Sequence, residues 1–354
     1  MGPDPALLSD AQAGNDDAFA ELIAPHRREL LAHCYRMLGS LEDAEDCLQE
    51  SLLAAWQALP GFEARSSLRT WLYTITTNRC LNAARATRRR PAKAWAVPGM
   101  QPPDPSRLGE VVWLEPMPDR LIGGAQAHHG QLGSDVRYEA RESISLAFVT
   151  ALQLLPPRQL AVLVLRDVLG FRAREVSELL QLSTDSVTSA LKRARSAVQR
   201  HRADGSGAEP PPEYGSTVED DLVSRFVTAY EAGDVDSLIA LCTDDVLMSM
   251  PPVALEYRGP IPVGQFLAML FGADRRYRLL PTRANGQPAF GSYIRLPDGS
   301  FAGSGVLVLG LSQDRVCSLI RFEPALLERF GLPGSLADRD HPAPYTDPRD
   351  GELD

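Results

Sequence analysis

The sequence predicts a multidomain protein, with two all-α domains followed by one α+β domain. Apolar residues recur at three- and four-residue steps over residues 16–92 and again over residues 143–202, which is typical of packed helices. Residues 217–330 instead combine two amphipathic helical stretches with β-rich runs. A chain of 354 residues is long enough for two or three such domains, each with its own core.

The first all-α domain is expected over residues 10–92 as a bundle of helices. Its first helix carries Phe19, Leu22 and Ile23 at helical spacing and ends at Gly39, the residue type that commonly follows a helix. A second helix, LEDAEDCLQESLLAAWQAL, ends at Pro60-Gly61. A third begins near Leu68 and continues up to Pro91.

The second all-α domain is expected over residues 139–202 and contains four helices. Its last two, FRAREVSELLQL and STDSVTSALKRAR, have the layout of a helix-turn-helix, with Ser183 placed to cap the final helix. Val187, Leu191 and Ala194 would face the core. Polar and basic residues on the opposite face suit a DNA major groove, although the same pattern also fits a plain amphipathic helix pair with a solvated basic face.

The composition of the chain indicates two linkers between the predicted domains and a tail after the last one. Residues 93–138 and 203–216 are rich in Pro, Gly and polar residues, and residues 332–354 form a Pro- and Asp-rich tail that we expect to be flexible. Within the first linker, residues 111–122 contain an apolar island that a linker alone does not require. We expect Val112, Trp113 and Leu114 to dock on the C-terminal domain or on the first helical bundle.

Charge is distributed by region. The chain has a net charge of −10, but residues 141–202 hold 10 Lys and Arg against 5 Asp and Glu, whereas residues 203–354 hold 12 against 23. Basic residues also crowd together between Arg79 and Lys93. The two basic regions are candidates for contact with nucleic acid, because electrostatic footprints belong to domains.

A metal, a cofactor and membrane contact are not expected. The five cysteines form no C-x-x-C pair and are expected to be buried small hydrophobes, so no metal and no cofactor is predicted. No apolar run is long enough to span a bilayer and the N-terminus does not resemble a signal peptide, so we expect a cytoplasmic protein without membrane contact.

Three segments, in order, carry a family resemblance: DAEDCLQESLLAAW, FEARSSLRTWLYTITTNRCLNAARATRRRP and LPPRQLAVLVLRDVLGFRAREVSELLQLSTDSVTSALKRAR. They resemble regions 2 and 4 of extracytoplasmic-function sigma factors of the sigma-70 family, over about residues 10–202. Residues 217–331 more loosely resemble SnoaL-like proteins of the NTF2-like superfamily, which are α+β cone-shaped barrels. The resemblance implies a subunit that binds core RNA polymerase, through its β′ clamp and β flap, and directs promoter recognition.

The resemblance also assigns roles by position. It implies that the D-A-E-D-x-x-Q-E helix faces the polymerase, and that segments of regions 2 and 4 read the −10 and −35 promoter elements. The polymerase-facing residues would be Asp43, Asp46, Gln49 and Glu50. The −10 residues would be Phe62, Arg65, Ser66, Asn78, Arg79, Asn82, Arg85 and Arg88. The −35 residues would be Ser183, Thr188, Ser189, Lys192, Arg193 and Arg195.

The C-terminal domain is expected to regulate the sigma factor rather than to catalyse a reaction. Residues 217–330 contain no histidine, and most of their aspartates fall in predicted turns or on exposed helix faces, where a raised carboxyl pKa is uncommon. A small-molecule pocket could be lined by Met248, Met250, Tyr257, Phe266 and Tyr293, or these side chains could simply fill the core. A repressor with a ligand-sensing domain and an enzyme with a helical appendage are the alternative functions.

Overall fold

Helices α1 to α4 begin the chain in the computed structural model, which describes residues 4–87, 93–95, 97, 100–109, 113–122, 143–204, 209–272 and 274–337. Helix α1 spans Pro5–Gln12, α2 spans Asp16–Leu38, α3 spans Leu41–Ala58 and α4 spans Leu68–Thr87. Gly39 ends α2 in the left-handed conformation, with φ of 77°. Ser40 then caps α3, because its hydroxyl accepts a hydrogen bond from the backbone N–H of Asp43.

Four more helices follow, as the periodicity predicts. Helix α5 spans Leu146–Gln153, α6 spans Pro157–Leu163 and continues into a π-helical turn over Val164–Val168, α7 spans Ala173–Leu180 and α8 spans Thr184–Asp204. These eight helices belong to one compact unit, made of the described residues of Met1–Arg90, Trp113–Glu115 and Arg120–His201. Helix α4 packs against α6 and α7, and α2 packs against α5.

A second unit contains the described residues of Pro91–Val112, Pro116–Asp119 and Arg202–Asp354. Its helices are α9 (Thr217–Ala232), α10 (Val235–Ala240) and α11 (Pro260–Phe271). Its strands are β1 (Arg107–Leu108), β2 (Cys242–Met250), β3 (Val253–Arg258), β4 (Tyr277–Ala284), β5 (Gln287–Arg295), β6 (Phe301–Ser312), β7 (Arg315–Phe322) and β8 (Ser335–Leu336). The predicted α+β class is confirmed.

The strands form one sheet in the order β1-β3-β2-β7-β6-β5-β4, with β8 added to β6. The β2–β7 pair is parallel and the other strand pairs are antiparallel. Phe226 of α9, Phe266 of α11 and Leu309 of β6 belong to one apolar core cluster. Helices therefore cover one face of the sheet and bury it.

In each of the three segments predicted as linkers or tail, some of the described residues form backbone hydrogen bonds that composition does not suggest. Residues Arg107–Leu108 of the first predicted linker form β1 and pair with β3. In the second, the carbonyl of Pro210 accepts a hydrogen bond of 3.0 Å from the backbone N–H of Gln313. The predicted tail begins with β8, and residues 338–354 lie outside the described residues. The partners are strands of the sheet or, for Pro210, the turn between β6 and β7, and local composition does not reveal them.

Within the described part of the chain, no helix has both the length and the apolar character that crossing a membrane requires.

Candidate functional site

The first candidate surface lies on α3. Asp46, Gln49 and Glu50 are exposed and Asp43 is half-buried, whereas Leu48 on the opposite side is buried in the bundle. Positions three and four apart share one face of a helix, so these four polar side chains form one stripe. We call Asp43, Asp46, Gln49 and Glu50 the acidic face of α3.

The beginning of α3 is fixed by a residue far away in the sequence. One carboxylate oxygen of Glu115 accepts hydrogen bonds from the Ser40 hydroxyl at 3.0 Å, the Leu41 N–H at 3.0 Å and the Glu42 N–H at 3.2 Å. The backbone N–H of Glu115 also donates to the carbonyl of Gly39. The carboxylate thus satisfies first-turn donors that have no partner within the helix.

The second candidate surface lies on α4. Asn78, Arg79, Asn82 and Arg85 are all exposed, and their spacing places them along one side of the helix. Arg88 lies outside the described residues. The guanidinium of Arg79 is 3.7 Å from the carboxylate of Glu50, which is a weak, exposed ion pair.

The buried side of α4 ties it to α2. The Thr77 hydroxyl lies 2.9 Å from Nε2 of His33, and the His33 ring packs edge-on against Tyr73. Burial lowers the pKa of His33 to about 3, with Arg36 and Arg69 acting in the same direction. His33 is therefore neutral at physiological pH, and it fixes the orientation of α4 from inside the bundle.

The turn before α4 corrects one expectation. Arg65 and Ser66 are exposed, and Arg65 pairs with Glu63. Phe62, however, is only 9% exposed, and its ring centroid lies 4.9 Å from that of Trp71. In this structure Phe62 is a packing residue rather than an open platform for a base, because the turn folds its ring back onto α4.

The third candidate surface lies on α8 and follows a helix-turn-helix. Gln181 makes the turn with φ of 53°, and the Ser183 hydroxyl accepts a hydrogen bond from the N–H of Ser186 at the start of α8. The buried residues of α8 include Val187, Leu191 and Ala194. The exposed residues include Thr188, Ser189, Lys192 and Arg193. The helix-turn-helix is confirmed, with its basic face open.

Arg195 differs from its neighbours on α8. Its guanidinium donates two hydrogen bonds, of 2.8 and 2.7 Å, to the carboxylate of Asp167. These bonds raise the pKa of Arg195, which stays charged. Arg195 therefore anchors α8 to the turn that follows α6, and the carboxylate of Asp167 offsets its positive charge.

Comparison with known proteins identifies the family. Residues 22–90 match Sigma-70 region 2, and residues 145–198 match Sigma-70, region 4. The ECF RNA polymerase sigma factor SigG of Mycobacterium tuberculosis is 42% identical over 342 residues, which cover 95% of this chain and 88% of that relative. The chain belongs to the extracytoplasmic-function RNA polymerase sigma factors.

Other matches of the sigma factor agree with this. SigW of Bacillus subtilis is 24% identical over 201 residues, which cover 56% of this chain and 95% of that protein. The crystal structure of the Mycobacterium tuberculosis extracytoplasmic function sigma factor SigJ aligns with a TM-score of 0.56 at 23% identity, and covers 89% of this chain and 99% of SigJ. The fold similarity thus extends beyond regions 2 and 4. Sigma factors are regulators of transcription rather than enzymes.

The apolar island of the interdomain segment is divided between the two units of the sigma factor. Trp113 and Leu114 belong to the unit that contains region 2, and Leu114 is 3% exposed. The Tyr35 hydroxyl donates a hydrogen bond of 2.7 Å to the carbonyl of Glu115, the next residue. Val112 lies outside the described residues.

The residues expected to line a ligand pocket are buried in the C-terminal domain. Met248, Met250, Tyr257 and Phe266 belong to its core cluster. Tyr293 is fully buried, and its hydroxyl donates to the carbonyl of Pro333. A bound ligand stays a prediction, because these side chains pack against the core as they stand.

Sequence reasoning missed one buried acid in this domain. Glu219 is 2% exposed, and its carboxylate lies 2.5 Å from the guanidinium of Arg283, which is itself buried. The aspartates expected in turns or on exposed helix faces, by contrast, are exposed as predicted: Asp234, Asp236, Asp244, Asp245, Asp274, Asp298 and Asp314. Glu219 lies in the first turn of an amphipathic helix beside other acids, so the sequence alone does not show that it is buried. Its ion pair with Arg283, on a strand distant in the sequence, distinguishes it from those acids.

Proposed function

We propose that the acidic face of α3 is the surface with which this sigma factor binds the β′ clamp of core RNA polymerase. The observation that carries this proposal is the alignment of four acidic or amide side chains on one open helix face whose first turn is held by Glu115. An acidic stripe complements a basic partner surface and steers its association. Region 4 would contact the β flap in the same complex.

The promoter contacts follow from the two open faces described above. Asn78, Arg79, Asn82 and Arg85 on α4, with Arg65 and Ser66 in the preceding turn, are proposed to bind the −10 element. Exposed Arg side chains suit the phosphates of melted DNA, and amide side chains suit base edges. Thr188, Ser189, Lys192 and Arg193 on α8 are proposed to read the −35 element, with Ser183 at the start of the helix near the DNA backbone.

A charge reversal tests the polymerase surface. We expect Asp46→Lys to weaken binding of the full chain to core RNA polymerase by at least tenfold, because it places a cation in the middle of the acidic face. The matched control is Glu21→Lys, which reverses an exposed acid on α2 of the same bundle. Equal affinities for both variants and the unmodified chain would overturn the proposed surface.

We further propose that the C-terminal domain modulates the sigma factor by holding the segment that leads from region 2 towards region 4. Within the C-terminal unit, Trp95 packs edge-on against Phe266 with ring centroids 5.8 Å apart, and the Tyr257 hydroxyl donates to the carbonyl of Pro103. Two ion pairs, Lys93 with Glu323 and Arg107 with Glu256, also hold this segment on the C-terminal domain. A small apolar ligand that entered among these aromatic side chains would compete with Trp95.

The replacement Trp95→Ala tests this regulatory role. We expect faster hydrogen exchange in residues 100–109 and a change in promoter-dependent transcription, since the segment loses its largest apolar contact. Arg295→Ala, an exposed change on β5, is the control. Normal exchange and normal transcription in Trp95→Ala would contradict the proposal.

We also propose that the protein is located in the cytoplasm, because core RNA polymerase works there.

A further inference from the structure

Three of the five cysteines meet inside region 2. Cys34 comes from α2, Cys47 from α3 and Cys80 from α4, and their three sulfur atoms all lie within 4.8 Å of one another. The sulfurs of Cys47 and Cys80 are 3.5 Å apart. All three side chains are buried, with exposed fractions of 0%, 4% and 0%. The sequence gives no sign of this cluster, because its members stand 13 and 33 positions apart.

The spacing of the sulfurs fits a metal ion held by three thiolates. With metal–sulfur bonds of about 2.3 Å, as in zinc thiolates, three sulfurs in a trigonal ring lie about 4.0 Å apart. This value falls between the 3.5 Å of the Cys47–Cys80 pair and the 4.8 Å limit of the cluster. Modest rotation of the side chains would complete the ring.

The ligand set selects the class of ion. Within the described part of the chain, no His, Asp or Glu joins these cysteines as a fourth ligand. Structural zinc requires four ligands in a tetrahedron, whereas thiolates alone favour soft ions such as Cu(I). A buried group of three sulfurs therefore suits a thiophilic ion that is stable with three ligands.

We propose that Cys34, Cys47 and Cys80 bind one thiophilic d10 metal ion, of the class represented by Cu(I), in three-coordinate thiolate geometry. Three metal–sulfur bonds form, each cysteine that is protonated releases its proton to solvent as it binds, and neither the metal nor sulfur changes oxidation state. Cys47 follows Asp46 on α3 and Cys80 follows Arg79 on α4. The ion would therefore lock together the helices that carry the polymerase-binding and −10 surfaces.

Titration of the reduced full-length chain with Cu(I) under anaerobic conditions, against a chromophoric Cu(I) chelator, tests the proposal. We expect one Cu(I) per chain, sulfur-to-copper absorption in the near ultraviolet, and X-ray absorption spectra that show three sulfur neighbours. Failure of the chain to take Cu(I) from the chelator would overturn the proposal, and so would a copper ion with fewer than three sulfur neighbours.

Variants locate the site. We expect Cys34→Ala, Cys47→Ala and Cys80→Ala each to lose the three-sulfur signature and to bind Cu(I) at least a hundredfold more weakly. The matched control is Cys242→Ala with Cys317→Ala, which removes the two buried cysteines of the C-terminal domain and should leave one Cu(I) per chain. Circular dichroism checks that each variant is folded. Unchanged binding in the three cluster variants, or loss of binding in the control, would place the ion elsewhere and overturn the assignment.

Discussion

The carboxylate of Glu115 accepts a hydrogen bond of 3.0 Å from the backbone N–H of Leu41, the first residue of α3. The two residues are 74 positions apart in the sequence, and the bond joins the interdomain segment to the helix that we propose binds polymerase. A negative charge at this position also interacts favourably with the positive end of the helix. The segment after region 2 therefore helps to hold the helix that carries the proposed polymerase-binding surface.

Replacing Glu115 with Ala should loosen the start of α3. Loss of a capping carboxylate typically costs about 1 kcal/mol of helix stability. We expect hydrogen exchange of residues 41–44 to become about fivefold faster and affinity for core polymerase to fall. Asp104→Ala, an exposed acid of the same interdomain segment, should change neither. Unaltered exchange in Glu115→Ala would show that the contact does not hold the helix.

Replacing Lys192 with Ala should reduce the salt dependence of promoter binding. A lysine that neutralises one phosphate contributes about one unit to the slope of log affinity against log salt concentration. We expect that slope to fall by about one for the polymerase complex on a duplex with a −35 element. Arg174→Ala on α7 is the control, since its guanidinium is paired with Glu178. An unchanged slope in Lys192→Ala would remove Lys192 from the DNA contact.

Regions 2 and 4 should separate when the sigma factor joins polymerase. The Phe171 ring before α7 packs edge-on against Tyr73 of α4, and Arg69 lies over both rings. A folded unit of about 180 residues has a radius of gyration of about 16 Å. The −10 and −35 elements are about 25 base pairs apart, or about 85 Å at 3.4 Å per pair. One packed unit cannot reach both elements.

Energy transfer between dyes measures this separation. Gln57→Cys on α3 and Gln199→Cys on α8 provide exposed labelling positions, while the native cysteines are buried. We expect high transfer efficiency in the free chain and a marked fall after core polymerase and promoter DNA are added. High efficiency in a complex that makes transcripts would contradict the expected opening.

The stability of region 2 should fall as pH is lowered through the range in which unfolded histidine gains a proton. Burial lowers the pKa of His33 to about 3 in the fold, against an ordinary value of 6.5. Between these values only the unfolded chain binds that proton, so stability is full above pH 6.5 and declines below it by up to about 1.4 kcal/mol per pH unit.

A His33→Gln variant isolates this effect. Hydrogen exchange of α2 and α4 at pH 7 and pH 5 should show a stability loss in the unmodified chain that is about 2 kcal/mol larger than in the variant. His26, whose pKa burial also lowers, is present in both chains and cancels from the comparison. Equal pH dependence in the two chains would mean that His33 does not carry the effect.

Local patterns predicted the helical part of the fold well. The spacing of apolar residues, with Gly39 at the end of α2 and Ser183 before α8, agrees with the observed helices. In the C-terminal domain the sequence indicated two helical stretches, and α11 was missed because Gly264 lies in its interior; β4 contains Pro281 in the middle of a strand. Such residues oppose the local signals for helix or strand, and the surrounding sheet overrides them.

The candidate surfaces were predictable where exposure follows from helical spacing and not where it depends on distant partners. Lys192 and Arg193 are open as expected, since helix periodicity alone decides which way they face. Phe62 is covered by Trp71, Arg195 is held by Asp167, and the three cysteines of region 2 converge from three helices. These arrangements arise from tertiary packing between residues that are distant in the sequence, and local sequence patterns do not reveal such contacts.

Promoter-dependent transcription by purified core RNA polymerase tests the central claim most directly. The full chain is added to core polymerase with a library of promoter fragments, and transcripts are sequenced. We expect transcripts that start from a common class of promoter when the chain is present, that are absent without it, and that are strongly reduced by Asp46→Lys but not by Glu21→Lys. No chain-dependent transcript from any fragment would contradict the assignment of this protein as a sigma factor.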